Sequence, residues 1–290
     1  MPTGNTTTGS LADSQELIID SARIVREFEG TFQRTCDVQT LAEKTGLSWE
    51  EIALDKLTAQ AITETTELNN PQQLADSLFT ITPAVSGIHI CITDRVYRRL
   101  SKKTLAKMGQ LKQNAIQRKK DEDYLTIFAG ATTTLGGTGQ TGTQGHISAA
   151  ARRITSNTSE PSTSALYGVL HGYVVKDFED EIKAPVDTYS VDGLSEEFYR
   201  KGLRGQVAGV TIYEDGNVTI NSTPDARGAV HSKEAVVLVQ GHSPRSETRR
   251  RPQTGGGADE MFMYDEYAYG ERSAGNWLYG MLHDATAPTS

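Results

Sequence analysis

Cysteine is scarce. The 290 residues hold two, Cys36 and Cys91, too few for a disulfide framework in a chain of this length. Both are expected as small, buried or partly buried apolar residues, since neither has a base nearby in sequence to activate a thiolate. Long apolar runs are missing as well. Nothing approaches the ~20 residues that cross a bilayer. The N-terminal stretch MPTGNTTTGSLADSQ has neither a basic start nor an apolar core, which argues against a secretion signal and for synthesis in the cytosol. A basic excess is also absent. With 29 Lys and Arg against 37 Asp and Glu, the net charge is −8, whereas a protein that grips DNA through its phosphates carries a basic surplus or a basic face. None of the six histidines pairs with another at metal-ligand spacing. There is no G-x-S-x-G elbow and no phosphate-loop lysine motif. No catalytic residue, cofactor or metal is therefore expected.

What is present is unevenly distributed. Behind a polar tail, Asp13 to Arg34 reads as an amphipathic helix, with Leu17, Ile24, Val25, Phe28 and Phe32 at helical spacing and Gly30 weakening its last turn. "LAEKTGLSWEEIALDKL" has the outline of a helix-turn-helix, with Gly46 in the turn and Ser48 and Glu51 as a capping box. Glu50, Glu51 and Asp55 would meet DNA phosphates with like charge, so a plain helical turn is expected rather than a DNA reader. Residues 57–92 turn rich in threonine and short apolar groups. Asn69, Asn70 and Pro71 mark a turn, and Phe79, Ile81, Ile88, Ile90 and Ile92 follow in period-two alternation. This reads either as a projecting two-stranded ribbon, which needs a cover because an isolated hairpin is marginal in water, or as a sheet pair inside a domain.

Lys103 to Phe128 is the strongest helix, about twice the usual length. Leu105, Met108, Leu111, Ala115, Leu125 and Phe128 can share one side, and "RKKDED" is expected as a solvated or partner-facing run whose charges nearly cancel. Next comes "TTTLGGTGQTGTQGHISAAARRI", in which Gly137, Gly139 and Gly142 fit G-x-G-x-x-G ahead of a helix from Ile147 to Ile154. That spacing cradles a dinucleotide only after a strand and inside a βαβ unit. Here it follows the long helix in a low-complexity stretch, so a flexible or interface loop is favoured. Thereafter "ALYGVLHGYVVKDFEDEI" reads as strand, turn and helix, "LSEEFYRKGL" as a helix, "GQVAGVTIYEDGNVTI" as strand, turn and strand, and "EAVVLVQG" as a buried strand. Arg249, Arg250 and Arg251 fall in an expected loop that could hold phosphate, with an acidic neighbouring subunit the favoured partner. Strands rich in Tyr and Met close the chain. The fold class is α+β.

Three segments carry a family resemblance. "VLHGYVVKDF" (169–178) is similar to a Val-Leu-His-Pro segment and helix, with Gly172 where proline is common. "GQVAGVTIYEDGNV" (205–218) resembles a Gly-x-x-Gly-Val-x-Val-Tyr stretch, and "HDATAPTS" (283–290) resembles an Asp-Ala-Thr-Ala-Pro ending. Taken in order, they resemble the major capsid proteins of tailed bacteriophages, with the Hong Kong ninety-seven type fold. The resemblance implies an N-terminal arm (1–56), an extension loop (57–92), a peripheral domain with its spine helix (93–140 and 230–290) and an axial domain (141–229). It implies a non-enzymatic virion protein, assembled in the host cytoplasm as pentamers and hexamers of an icosahedral shell, with the loop lying across the adjacent subunit. Scaffold, portal and decoration proteins and non-specific contact with packaged DNA are the further partners expected, and no membrane. Subunit contacts are then expected at Leu17, Ile24, Phe28, Asn69, Asn70, Pro71, Phe79, Ile81 and Arg249 to Arg251. The alternatives are another ring- or tube-forming assembly protein, or a nucleotide-binding oxidoreductase using Gly137 to Gly142.

Overall fold

The computed structural model describes residues 30–65, 67, 69, 71–98, 102–186, 206–254 and 256–289, with backbone alone for 102–107 and 182–186. Most of the expected first helix, the arm residues Leu17, Ile24 and Phe28, the helix expected at 194–203, Asn70 and the side chain of Leu105 lie outside the described residues.

In chain order the elements are α1 (Phe32–Thr35), β1 (Asp37–Thr40), β2 (Trp49–Leu54), β3 (Asp76–Ile81), β4 (Ala84–Thr93), α2 (Asp94–Tyr97), α3 (Lys102–Ala129), β5 (Thr134–Gly136), α4 (Gln144–Thr155), β6 (Leu166–Leu170), α5 (Gly172–Val186), β7 (Gln206–Val207), β8 (Val210–Glu214), β9 (Asp225–Ser232), β10 (Val236–Arg251), β11 (Ala258–Glu271) and β12 (Leu278–Asp284). They form three sheets: β1-β10-β11-β4, β5-β12-β9-β6-β8-β7, and the two-stranded β2-β3. The mixture is α+β, as expected.

The main core lies between the six-stranded sheet and α3, α4 and α5, with Tyr124, Phe128, Ile147, Ile154, Leu170, Phe178, Leu278 and Met281 fully buried. β6 and β8 are parallel, and α5 lies in the chain between them, while β9 and β12 run antiparallel. Cys36 and Cys91 are buried and unpaired with each other, as free thiols. Burial pushes the Cys36 thiol up to about 12, so it is a packed apolar group rather than a nucleophile.

The 28-residue α3 confirms the long helix, but its buried stripe differs from the hydropathy pattern. Leu111 is exposed, whereas Lys112, Ile116, Lys120, Asp121, Tyr124, Leu125 and Phe128 are buried. These positions keep helical spacing. "RKKDED" is thus not uniformly solvated. The Lys120 Nζ lies 2.6 Å from Asp265 Oδ2 on β11 and donates to Gln240 Oε1 at 3.0 Å. The buried charges Lys120 and Asp121 each have tertiary partners that no local pattern displays.

Four further expectations change. The second half of the helix-turn-helix outline is strand β2, because Trp49, Glu51 and Ala53 pair with Ile81, Phe79 and Ser77 of β3. Apolar contacts at the base of this pair override local helix propensity. Ser48 does not cap a helix; its hydroxyl meets that of Thr82 at 2.8 Å. Arg249 to Arg251 lie on strand β10, not in a loop, opposite Glu260, Asp259 and Ala258 of β11. "NVTI" forms a single bridge, Ile220 to Ala226, rather than a strand. The glycine stretch does follow a strand, the three-residue β5 at the sheet edge, and α4 starts three residues before the predicted Ile147.

Candidate assembly surfaces

The ribbon β2-β3 has two unlike faces. Its inner face sits on the body: Trp49 meets Phe79 edge-on at 6.2 Å, and Phe79 and Ile81 pack with Val237 and Val239. Gly270 makes this seat possible, since a Cβ there would stand 2.6 Å from Ile81 Cδ1 and 2.8 Å from Phe79 Cζ. Arg272 fastens the seat by donating to Glu51 (2.8 Å) and to Asp37 (3.3 Å). Phe79 and Ile81, expected at a neighbour, are therefore already packed within their own chain.

The outer face carries Ile52 and Leu78 directly opposite each other, with Leu54 beside them, all more than 60% exposed. The described residues from 55 to 75 are exposed throughout, including Leu57, Ile62 and Leu74, and so are Asn69 and Pro71. Burying such a side chain is worth roughly 1.5–3 kcal/mol, so six of them exposed along one segment make it a candidate interaction surface. Period-two reading of residues 49–54 would have found Ile52 and Leu54; the capping-box signal at Ser48 and Glu51 obscured it.

The second surface is the β10-β11 hairpin. β1 covers β10 only as far as Gln240, so Ser243 to Arg251 form an exposed edge bearing Pro244 and charged side chains, the usual protection of a free strand edge. Arg250 donates to Asp94 and Asp259, and its hydrogen bond holds the Asp94 carboxyl below the usual carboxylate range. Arg251 pairs with Glu260 at 2.9 Å. On the same face as Arg249, His89 stacks on Phe262 at 4.4 Å, Phe262 lies parallel to Tyr264, and Arg245 covers Tyr264.

The glycine loop offers no vacancy for a pyrophosphate. The Gly139 N–H, which has φ +68°, donates to Asp225 Oδ1 at 2.7 Å. The Gln144 N–H that opens α4 donates to Glu181 Oε2 at 2.6 Å. The chain's own carboxylates occupy the position an anion takes at a helix start, and the Gly139 amide in turn holds Asp225 below its ordinary range. Among the described residues no three His, Cys, Asp or Glu side chains cluster as metal ligands, and no helix is long and apolar enough to cross a membrane.

No protein-family model and no curated protein matches the chain. Its architecture does match solved structures. The head structure of Helicobacter pylori bacteriophage KHP40 aligns with a TM-score of 0.71 at 12% identity, over 98% of this chain and 100% of that one. A Mycobacterium phage Che8 chain aligns with 0.71 at 13%, over 89% and 94%. The mature capsid of bacteriophage PhiM1 gives 0.68 at 14%, over 94% and 92%. The chain has a phage capsid fold. Within that fold the outward ribbon face and the free edge of β10 are left uncovered by the other described residues.

Proposed function

We propose that this chain is the major capsid protein of a tailed phage, a structural and non-enzymatic subunit that closes into an icosahedral shell around double-stranded DNA. The observation that carries the reading is the likeness to phage capsid structures over nearly the whole chain. The uncovered apolar face of Ile52, Leu54 and Leu78 supports it, because a subunit that exposes such a face is built to meet another.

In this reading β2-β3 is the extension loop and lies on a neighbouring subunit of the same pentamer or hexamer. Its span carries Glu50, Glu51, Asp55, Glu64, Glu67 and Asp76 against Lys56 alone, so the favoured seat is basic. The Arg249 edge of β10 fits that requirement. The residues before β2 are then the arm, which shortens the expected 1–56 by that strand, with 93–140 and 230–290 the peripheral domain and 141–229 the axial domain. Many weak contacts per subunit close a shell cooperatively. The net acidic charge lets packaged DNA slide, while scaffold, portal and decoration proteins join in the host cytoplasm. Gly137 and Gly139 serve as a connector that bends differently in pentamers and hexamers.

The test is light scattering followed by electron microscopy of the purified recombinant protein. Closed shells, or pentamers and hexamers that close when scaffold is added, are expected. A monomer or dimer in every salt and scaffold condition overturns the reading. Open rings or tubes in the same micrographs would move it to another assembly class.

A further inference from the structure

Asp121 on α3 and Asp215, directly after β8, are both fully buried, and the same two residues, Thr31 and Asn217, donate to both carboxyl groups and hold them side by side. Every carboxyl oxygen accepts a hydrogen bond. The Thr31 N–H donates to Asp121 Oδ1 and the Thr31 hydroxyl to Asp215 Oδ2, each at 3.1 Å. Asn217 donates its side-chain N–H to Asp121 Oδ2 at 2.8 Å and its backbone N–H to Asp215 Oδ1 at 2.9 Å. Gly30 is pressed so close that a Cβ would stand 2.4 Å from Asp121 Oδ1. Three separate parts of the chain therefore meet on two carboxyl groups: the segment where residues 1–29 join the body, the long helix, and the turn after β8.

Two buried carboxylates held side by side repel each other, and burial together with that repulsion favours keeping one of them protonated. Among the described residues no lysine or arginine pairs with either carboxyl. Lys120, the nearest in sequence, is spent on Asp265. The other titratable groups around the pair are neutral or acidic: Tyr124 on α3, Cys36 after α1, Tyr269 on β11, and His171 and Glu214 beside Asp215. His231 on β9 reaches the pair only through Tyr124.

We propose that Asp121 and Asp215 share a single proton, and that this proton latches Gly30 to Cys36 onto α3 and the turn after β8. Loss of the proton leaves two like charges against each other, and the segment that leads to the N-terminal arm lets go. The latch belongs to the single chain. It can be read on subunits or on shells, so it stands or falls separately from the capsid reading.

The linkage sets the pH window. Burial, followed by the neighbouring Asp215 charge, pushes Asp121 up from 3.8 to about 7 against the pull of its hydrogen bonds. A carboxyl raised on closing binds its proton more tightly closed than open, so closure is strongest below the open-state value and weakens until pH reaches the closed-state value. Hydrogen exchange of residues 30–36, corrected for intrinsic rates, is to be followed in the purified full-length chain from pH 4 to 9. The opening constant should rise up to tenfold per pH unit from about 4 to about 7 and level off above, while that of α4 does not follow it. Asp121→Asn and Asp215→Asn should each remove the slope, since an amide can bridge to the remaining carboxylate without a proton. A flat wild-type profile overturns the proposal, as does a slope that survives in both variants. Isotope-edited infrared spectra of aspartate in the wild type give a readout that needs no variant. A protonated carboxyl should persist at pH 6, and its absence there overturns the latch equally.

Discussion

Removing one partner of the Lys120–Asp265 pair tests whether the charged run on α3 is structural. Both side chains are at most 5% exposed, and their charges lie 2.6 Å apart. Gln240 accepts from Lys120 Nζ, and the ring of Tyr267 lies 5.0 Å from it. Lys120→Ala leaves the Asp265 charge buried without its counter-ion, an arrangement that costs about 3–5 kcal/mol. Replacing the pair together, Lys120→Met with Asp265→Leu, removes both desolvation penalties at similar volume and should leave stability within about 2 kcal/mol of the wild type. Urea unfolding of the purified chain, with Lys120→Met and Asp265→Leu also measured singly, supplies the four corners of a double-mutant cycle, and the coupling between neighbours of this kind should exceed about 1 kcal/mol. If Lys120→Ala cost less than about 0.5 kcal/mol, the range of an ordinary surface change, the burial argument would be refuted. Strict additivity of the two single changes would refute the pairing.

At the ribbon base, Gly270→Val drives a side chain into Ile81 and Phe79. It should cost about 1–3 kcal/mol by overpacking, with hydrogen exchange of residues 76–81 rising more than that of the main core. On the ribbon's outer face, Ile52→Asp with Leu78→Asp should leave subunit unfolding within about 0.5 kcal/mol, as exposed substitutions do, yet abolish shells in electron micrographs; unchanged shells would remove the ribbon from the assembly contacts. His231 is buried and neutral, donating from Nδ1 to the Ser232 carbonyl (2.8 Å) and so accepting from the Tyr124 hydroxyl at Nε2 (2.7 Å). Burial lowers it to about 4, so protonation favours the unfolded chain. The stability it contributes is present above about pH 6.5 and falls by about 1.4 kcal/mol per unit as pH drops toward 4. The difference between wild type and His231→Gln, measured across pH, should show that slope.

How much of this was legible in the sequence depends on where each signal lives. The long helix, the strand and helix at 166–186, the buried start of β10 and the Tyr-rich closing strands were legible because local spacing decides them, and the capsid resemblance came from short segments in order. What stayed hidden depended on partners distant in sequence. Lys112, Lys120 and Asp121 occupy the core stripe of α3 at correct helical spacing, yet a hydropathy pattern assigns charge to water. For Lys120 and Asp121 the explanation lies in Asp265, 145 positions after Lys120, and in Thr31 and Asn217 around Asp121. Residues 49–54 read as a helix because Ser48 and Glu51 mimic a cap, whereas β3 and the bare Gly270 surface, more than two hundred residues on, make them a strand. The surface residues follow the same rule. Phe79 and Ile81 were legible as apolar alternation, but alternation does not say which partner covers them. The four-stranded sheet of the same chain does, and the face left exposed is the opposite one, at Ile52, Leu54 and Leu78. A subunit whose inner contacts use up its strongest alternating residues shows its assembly face only as the remainder, after the chain has been folded on itself.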